Sequence, residues 1–165
     1  IEDNHIIYSF HMYEPYTYTT RKINNKRFSF TGDIPDHDPS KFDSKTTYWD
    51  GKRLEHFFTP VLLWQKQYNI PSSQLLIGEF GCDRTAEWAD QYLSQLISIF
   101  NRNNWHWAFY SFREDCWDTM DYELGSEAVP QYWNLAKKGA NLNQFRKNNP
   151  IFDVIKKELE NNSLE

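Results

Sequence analysis

Apolar positions along the chain follow two periods. Ile6-Ile7-Tyr8-Ser9-Phe10-His11-Met12-Tyr13 is a short run of apolar, β-branched and aromatic residues closed by Pro15, too brief for a typical helix, and it predicts a buried strand. Leu75-Leu76-Ile77-Gly78-Glu79-Phe80-Gly81 and Trp105-His106-Trp107-Ala108-Phe109-Tyr110-Ser111-Phe112 predict a second and a third. Between them the period changes to that of a helix. Leu54, Phe57, Phe58, Val61, Leu62 and Tyr68 recur at helical spacing, and Pro60 sets the expected start, with Thr59 as N-cap, Pro60 in the first helical position and the end before Pro71. Trp88, Ala89, Tyr92, Leu93, Leu96, Ile97 and Phe100 form one apolar stripe, predicting a helix from about Thr85 to Asn103-Asn104. Fainter helical patterns run from Pro130 to Lys138 and from Pro150 to Leu159. Residues 14–50 are rich in Asn, Asp, Pro and Thr and are expected to form a long loop, a lid or an irregular excursion.

Strands that are apolar throughout, alternating with helices, predict parallel strands covered by helices, an α/β domain spanning residues 1–165. Spacing alone fits a small open sheet as well as part of a barrel. In either architecture the chemistry gathers at the carboxyl ends of the strands. Alternation groups Ile7, Ser9, His11 and Tyr13 on one face of the first strand, Leu75, Ile77 and Glu79 on one face of the second, and His106, Ala108, Tyr110 and Phe112 on one face of the third. If these faces meet, Glu79, His11 and Tyr13 converge. A carboxylate ending a buried strand has lost hydration and needs donors, which a phenol or an imidazole supplies. Taken singly, Glu79 also fits a structural hydrogen-bond network, His11 a satisfied core histidine and Tyr13 packing.

Composition narrows the choice of ligand. The 165 residues carry 18 Lys+Arg against 23 Asp+Glu, a net charge of −5, which repels phosphate backbones and argues against nucleic acid or an anionic membrane surface as partner. Aromatic residues make up 18% of the chain although its mean hydropathy is only −0.80. Rings fill cores, and exposed rings offer flat platforms to neutral sugars. No apolar stretch approaches the roughly 20 residues of a membrane span.

The segments His11-Met12-Tyr13-Glu14-Pro15, Ile77-Gly78-Glu79-Phe80-Gly81 and Trp107-Ala108-Phe109-Tyr110-Ser111-Phe112 resemble, in order and interval, the sixth, seventh and eighth strands of glycoside hydrolase family five, the cellulase family with a (β/α)8 TIM barrel. The resemblance implies that this chain is the C-terminal part of such a barrel. It implies Glu79 as the nucleophile of retaining hydrolysis of a β-glycosidic bond in a polysaccharide, with His11 and Tyr13 positioning it or the substrate. Tyr110 falls where the family usually has a tryptophan under the reacting sugar, so an aromatic face is kept. The family's acid/base glutamate lies in an Asn-Glu-Pro run after the fourth strand. That run does not occur here, and Glu14-Pro15 belongs to the sixth-strand motif. The expected partners are therefore a β-linked polysaccharide or oligosaccharide, together with an N-terminal barrel segment holding strands one to five, or a further copy of the chain. The chain alone is expected to be inactive. The family also suggests a secreted parent, and it implies no cofactor and no metal.

Rival readings of another class are a non-catalytic carbohydrate-binding half-barrel and a self-assembling structural one. Beyond the third strand, Trp117 is a candidate to stack on sugar and Arg113 and Glu114 to bind hydroxyls, although the same charges fit a solvated loop. Trp49 is a second stacking candidate or a loop anchor. Trp105 and Trp107 should pack against helices. Cys82 and Cys116 follow adjacent strands and form one bridge or none, and Asp36-His37-Asp38 reads as a turn rather than a metal site.

Overall fold

A computed structural model describes residues 5–36, 45–113 and 119–161. Three parallel strands form its centre: β1 (Tyr8–Met12), β4 (Leu75–Phe80) and β5 (His106–Trp107), in the order β1-β4-β5. Helices α3 (Gly51–Phe57) and α4 (Thr59–Gln67) precede β4, α5 (Ala89–Arg102) links β4 to β5, and α6 (Tyr132–Lys137) and α7 (Pro150–Asn161) follow. The stretch expected to be a lid or loop folds into two short helices, α1 (Tyr16–Thr19) and α2 (Arg21–Asn24), and an antiparallel pair, β2 (Gly32–Pro35) and β3 (Thr46–Trp49).

The helix-facing side of the sheet is the core. Phe58 is buried beneath Phe10, with ring centroids 6.2 Å apart, and also meets Phe100 at 5.6 Å and Trp105 at 5.8 Å. Phe80 meets Phe100 at 5.2 Å and Trp107 at 5.8 Å. The stripe Tyr92, Leu93, Leu96, Ile97 and Phe100 of α5 is buried against them. Trp105 and Trp107 do pack toward the helices, their indole N–H groups donating to Gln65 and Asn101. The opposite side of the sheet is bare: Ile7, Ser9 and His11 on β1 and His106 and Ala108 along β5 are exposed.

Four expectations are corrected. Glu79 does not share a face with Leu75 and Ile77. β1 and β4 pair as Phe10 with Ile77 and then His11 with Glu79, so Gly78 is an extra residue that swings Glu79 to the bare side while Leu75, Ile77 and Phe80 stay buried. Gly78 has no room for a side chain, since a Cβ there would collide with the Ser9 hydroxyl. Thr59 is not a cap. α3 starts under Asp50, whose Oδ1 accepts from the Arg53 amide at 2.8 Å, and it runs through Phe58, already helical at φ −82°, into α4. α5 begins at Ala89, because Asp83 Oδ1 takes the Thr85 amide and hydroxyl in a local turn and Trp88 stands in the left-handed region at φ 63°. The third strand is regular only over His106–Trp107, yet the Ala108 and Tyr110 amides still donate to Ile77 and Phe80 of β4.

Candidate active site

The site is built where β1, β4 and the segment after β5 end. β1 carries His11 and leads to Tyr13; β4 carries Glu79; Tyr110 follows β5. Tyr13 donates from its hydroxyl to Glu79 Oε2 at 2.9 Å, and His11 Nδ1 lies 3.5 Å from the same oxygen. Oε1 takes no partner among the described residues. A carboxylate fixed through one oxygen keeps the other available to a ligand. Glu79 and His11 retain 39% and 55% side-chain exposure, so the group is reachable from outside. Tyr13, Tyr16, Thr20, Glu79, Tyr110 and Met120 enclose a pocket of about 290 Å³.

Burial, and the hydrogen bond and charge of Glu79, raise the Tyr13 phenol well above the ordinary tyrosine value. Tyr13 is thus held as a donor to the carboxylate throughout the neutral range. The pocket floor is tied by Tyr122, which is buried. The Cys82 amide donates to its hydroxyl oxygen at 2.9 Å, and the hydroxyl donates to the Tyr110 carbonyl at 2.9 Å. Gly81 lies at this knot, where a Cβ would collide with the Tyr110 carbonyl and the Tyr122 hydroxyl. Glu14 is occupied elsewhere: its Oε2 accepts from the Tyr16 amide at 2.9 Å and its carbonyl from the Tyr92 hydroxyl at 2.8 Å.

The structure brings His11, Tyr13, Glu79 and Tyr110 together. Trp49 is a correction to the stacking reading and fits the anchor: it is 2% exposed, meets Phe57 at a tilt with centroids 6.0 Å apart and is covered by Arg53, so no face is open to sugar. Arg113 lies outside the pocket. Its guanidinium is 4.4 Å from the Phe112 ring and 4.5 Å from that of Tyr132, and its Nε donates to buried Glu123 at 2.9 Å. Glu123 also pairs with Arg146. Trp117, Glu114, Cys116, His37 and Asp38 lie outside the described residues. Cys82 is a free, buried thiol whose pKa burial pushes up. Sequence reasoning missed Tyr16, Thr20 and Met120 as pocket walls and Tyr122 beneath them. Tyr16 carried a signal, being the first residue after the His-x-Tyr-Glu-Pro run; Met120 and Tyr122 carried none.

A family model described as cellulase (glycosyl hydrolase family 5) matches residues 1–115. The chain belongs to glycosyl hydrolase family 5. It is a glycosidase-family sequence of the cellulase type, and the match covers β1, β4 and β5 with His11, Tyr13, Tyr16, Thr20, Glu79 and Tyr110. Among solved structures the chain is similar to a hyperthermophilic endo-β-1,4-glucanase in complex with substrate, at 23% identity over 72% of this chain and 37% of that one, with a TM-score of 0.45. It is also similar to Thermotoga maritima Cel5A in complex with mannotriose, at 20% identity over 67% of this chain and 33% of that one (TM-score 0.49). The same enzyme with cellobiose gives 20% identity over 80% and 38%, with a TM-score of 0.47. The chain thus spans 33–38% of the length of these family relatives. No curated protein matches the sequence.

Proposed function

We propose that this chain is the nucleophile-bearing part of a retaining β-glycanase, with Glu79 as the attacking carboxylate. The observation that carries the reading is the pairing of Tyr13 and His11 with one oxygen of Glu79, while the other has no partner among the described residues in an open pocket beside Tyr110. In retaining hydrolysis the free oxygen attacks the anomeric carbon, the glycosidic bond breaks, and a second carboxylic acid about 5–5.5 Å away protonates the departing oxygen. Water, giving its proton to that second residue now acting as base, then attacks the same carbon, the ester bond breaks, and Glu79 returns as a carboxylate. Tyr13 and His11 orient Glu79 and disperse its charge as the covalent ester forms. Tyr110 offers its ring to the reacting sugar.

The second carboxyl group comes, in this reading, from a segment holding strands one to five of a (β/α)8 barrel, to which the three strands here add six, seven and eight. Three features support that arrangement. The strands are all parallel, with β1 and β5 open at the edges. One face of the sheet is bare. Apolar grooves flank both edges, one of about 400 Å³ at Tyr8, Phe10, Val61, Trp64 and Leu75, the other of about 270 Å³ at Phe109, Phe112, Phe152, Ile155 and Leu159. A binding role without catalysis is the second reading, favoured for the separate chain by the lack of an Asn-Glu-Pro run in its sequence. Native mass spectrometry of the purified particle, with a β-glucan hydrolysis assay on the same sample, separates them. A companion segment together with activity lost in Glu79→Gln supports the first. A lone chain that binds β-glucan without cleaving it supports the second.

A further inference from the structure

The loop between β4 and α5 ends in a residue that the rest of the molecule does not use. Trp88 is 49% exposed, and among the described residues its ring stacks on no other ring. It is also held at φ 63° and ψ 29°, a left-handed conformation that bulky side chains rarely adopt. The ring forms part of a groove of about 490 Å³ bounded by Glu87, Asp90, Ser126, Pro150 and Ile151. None of the residues around the Glu79 pocket takes part in it.

The groove is built by buried groups. Arg84, 1% exposed, donates from its guanidinium to the carbonyls of Gly125, Glu127 and Val129, fixing the segment that carries Ser126, which lines the same groove as Trp88. On the other side the Glu87 carbonyl accepts from the Tyr18 hydroxyl at 2.8 Å and from the Phe30 amide at 3.4 Å, anchoring the turn that presents Trp88. The side chains of Glu87, Asp90 and Ser126 have no hydrogen-bond partner among the described residues.

We propose that this groove is a second carbohydrate site, at which Trp88 stacks on the apolar face of a neutral β-linked glucosyl unit while Glu87, Asp90 and Ser126 bind its hydroxyls. The proposal rests on the reading of the chain as part of a β-glycanase and adds to it a substrate contact outside the catalytic pocket. A pyranose presents a C–H face and an equatorial rim of hydroxyl donors. One flat open ring beside two acceptor carboxylates and a hydroxyl matches both at once. The same carboxylates turn away phosphates and other anions. A lysine side chain or quaternary ammonium is the competing occupant, since it also pairs with an indole and carboxylates.

The test is affinity electrophoresis of the full chain through gels containing soluble β-glucan, with Trp88→Gly, Asp90→Asn and Glu79→Gln beside wild type. Glycine accepts the left-handed backbone without penalty, so Trp88→Gly keeps the fold, which circular dichroism verifies. The expected result is retardation weakened about tenfold in Trp88→Gly, about 1.4 kcal/mol of binding, partly weakened in Asp90→Asn and kept in Glu79→Gln. Equal retardation of Trp88→Gly and wild type overturns the second site while leaving the β-glycanase reading intact. Retardation lost only in Glu79→Gln does the same. No retardation of wild type overturns the second site and leaves the β-glycanase reading, whose cleft needs the other barrel strands, intact. Stronger capture by immobilised polylysine than by β-glucan, lost in Trp88→Gly, reassigns the groove to cations and overturns the sugar site.

Discussion

Individual residues explain the site through what they give up to one another. Tyr13 donates to Glu79, and its phenol, like those of Tyr18, Tyr92 and Tyr122, is raised above the ordinary value of about 10 by burial first of all. A raised phenol binds a proton that the unfolded chain releases in alkali, so stability is full below the ordinary tyrosine range and falls as pH climbs through and beyond it. Denaturant midpoints measured from neutral to strongly alkaline pH should be level up to about pH 9.5 and then drop, with the tyrosinate absorbance of these four rings appearing together with unfolding. Tyrosinate absorbance from more than six of the ten tyrosines, without unfolding, would contradict the burial of these four. Tyr122→Phe removes the acceptor of the buried Cys82 amide and the donor to the Tyr110 carbonyl, and should cost about 1–3 kcal/mol in urea unfolding. Glu79, His11, Tyr13 and Tyr110 stood out in the sequence because each breaks an apolar run near its end. Tyr122 did not, since its partners are backbone groups 40 and 12 residues away, and nothing local marks a ring for such a place.

At the scale of elements, hydrophobic period located β1, β4, α5 and α7 and failed at their edges. α5 was visible because six residues of the expected stripe, Ala89, Tyr92, Leu93, Leu96, Ile97 and Phe100, are buried in it. Trp88, the seventh, stands outside the helix and is exposed, and the start is set by the Asp83 turn, which period does not report. Simple alternation put Glu79 on the wrong face of β4, because one extra residue at Gly78 reverses the pleat beyond it. That reversal is what delivers the carboxylate to the side where His11 lies. Trp49 was misread for a similar reason: its loop folds into β2 and β3, and pairing of Gly32 with Trp49 carries the indole inward. The helix layer against the sheet hangs on Phe100, which touches both Phe58 and Phe80. Phe100→Ala should therefore destabilise by about 3–5 kcal/mol in chemical denaturation, while an exposed neighbour such as Ser98→Ala changes stability by less than about 0.5 kcal/mol.

At the scale of the molecule, the described residues cover the sheet on one face only. Parallel strands are ordinarily buried on both faces, and here Ile7 is 52% exposed while among the described residues β1 and β5 leave their outer edges unpaired. Such a surface drives association. Sedimentation velocity over a hundredfold range of concentration is predicted to show oligomers growing with concentration for the separate chain, and a single defined species once the complementary barrel segment is bound. The α/β class was legible from the alternation of strands and helices; the proposal that further barrel strands cover the bare face came only from the likeness of three motifs to a family whose barrels have eight strands.

The central claim is that Glu79 is a nucleophile, and covalent trapping tests it most directly. A dinitrophenyl deoxyfluoro-β-cellobioside carries a leaving group that departs without protonation, so the attack needs no acid residue, and the fluorine slows release of the glycosyl ester that forms. After incubation and peptide mapping by mass spectrometry, the account predicts one fluoroglycosyl group on the peptide containing Glu79, and none in Glu79→Gln. Attachment to a different carboxylate, or a labelled Glu79→Gln protein, would contradict it.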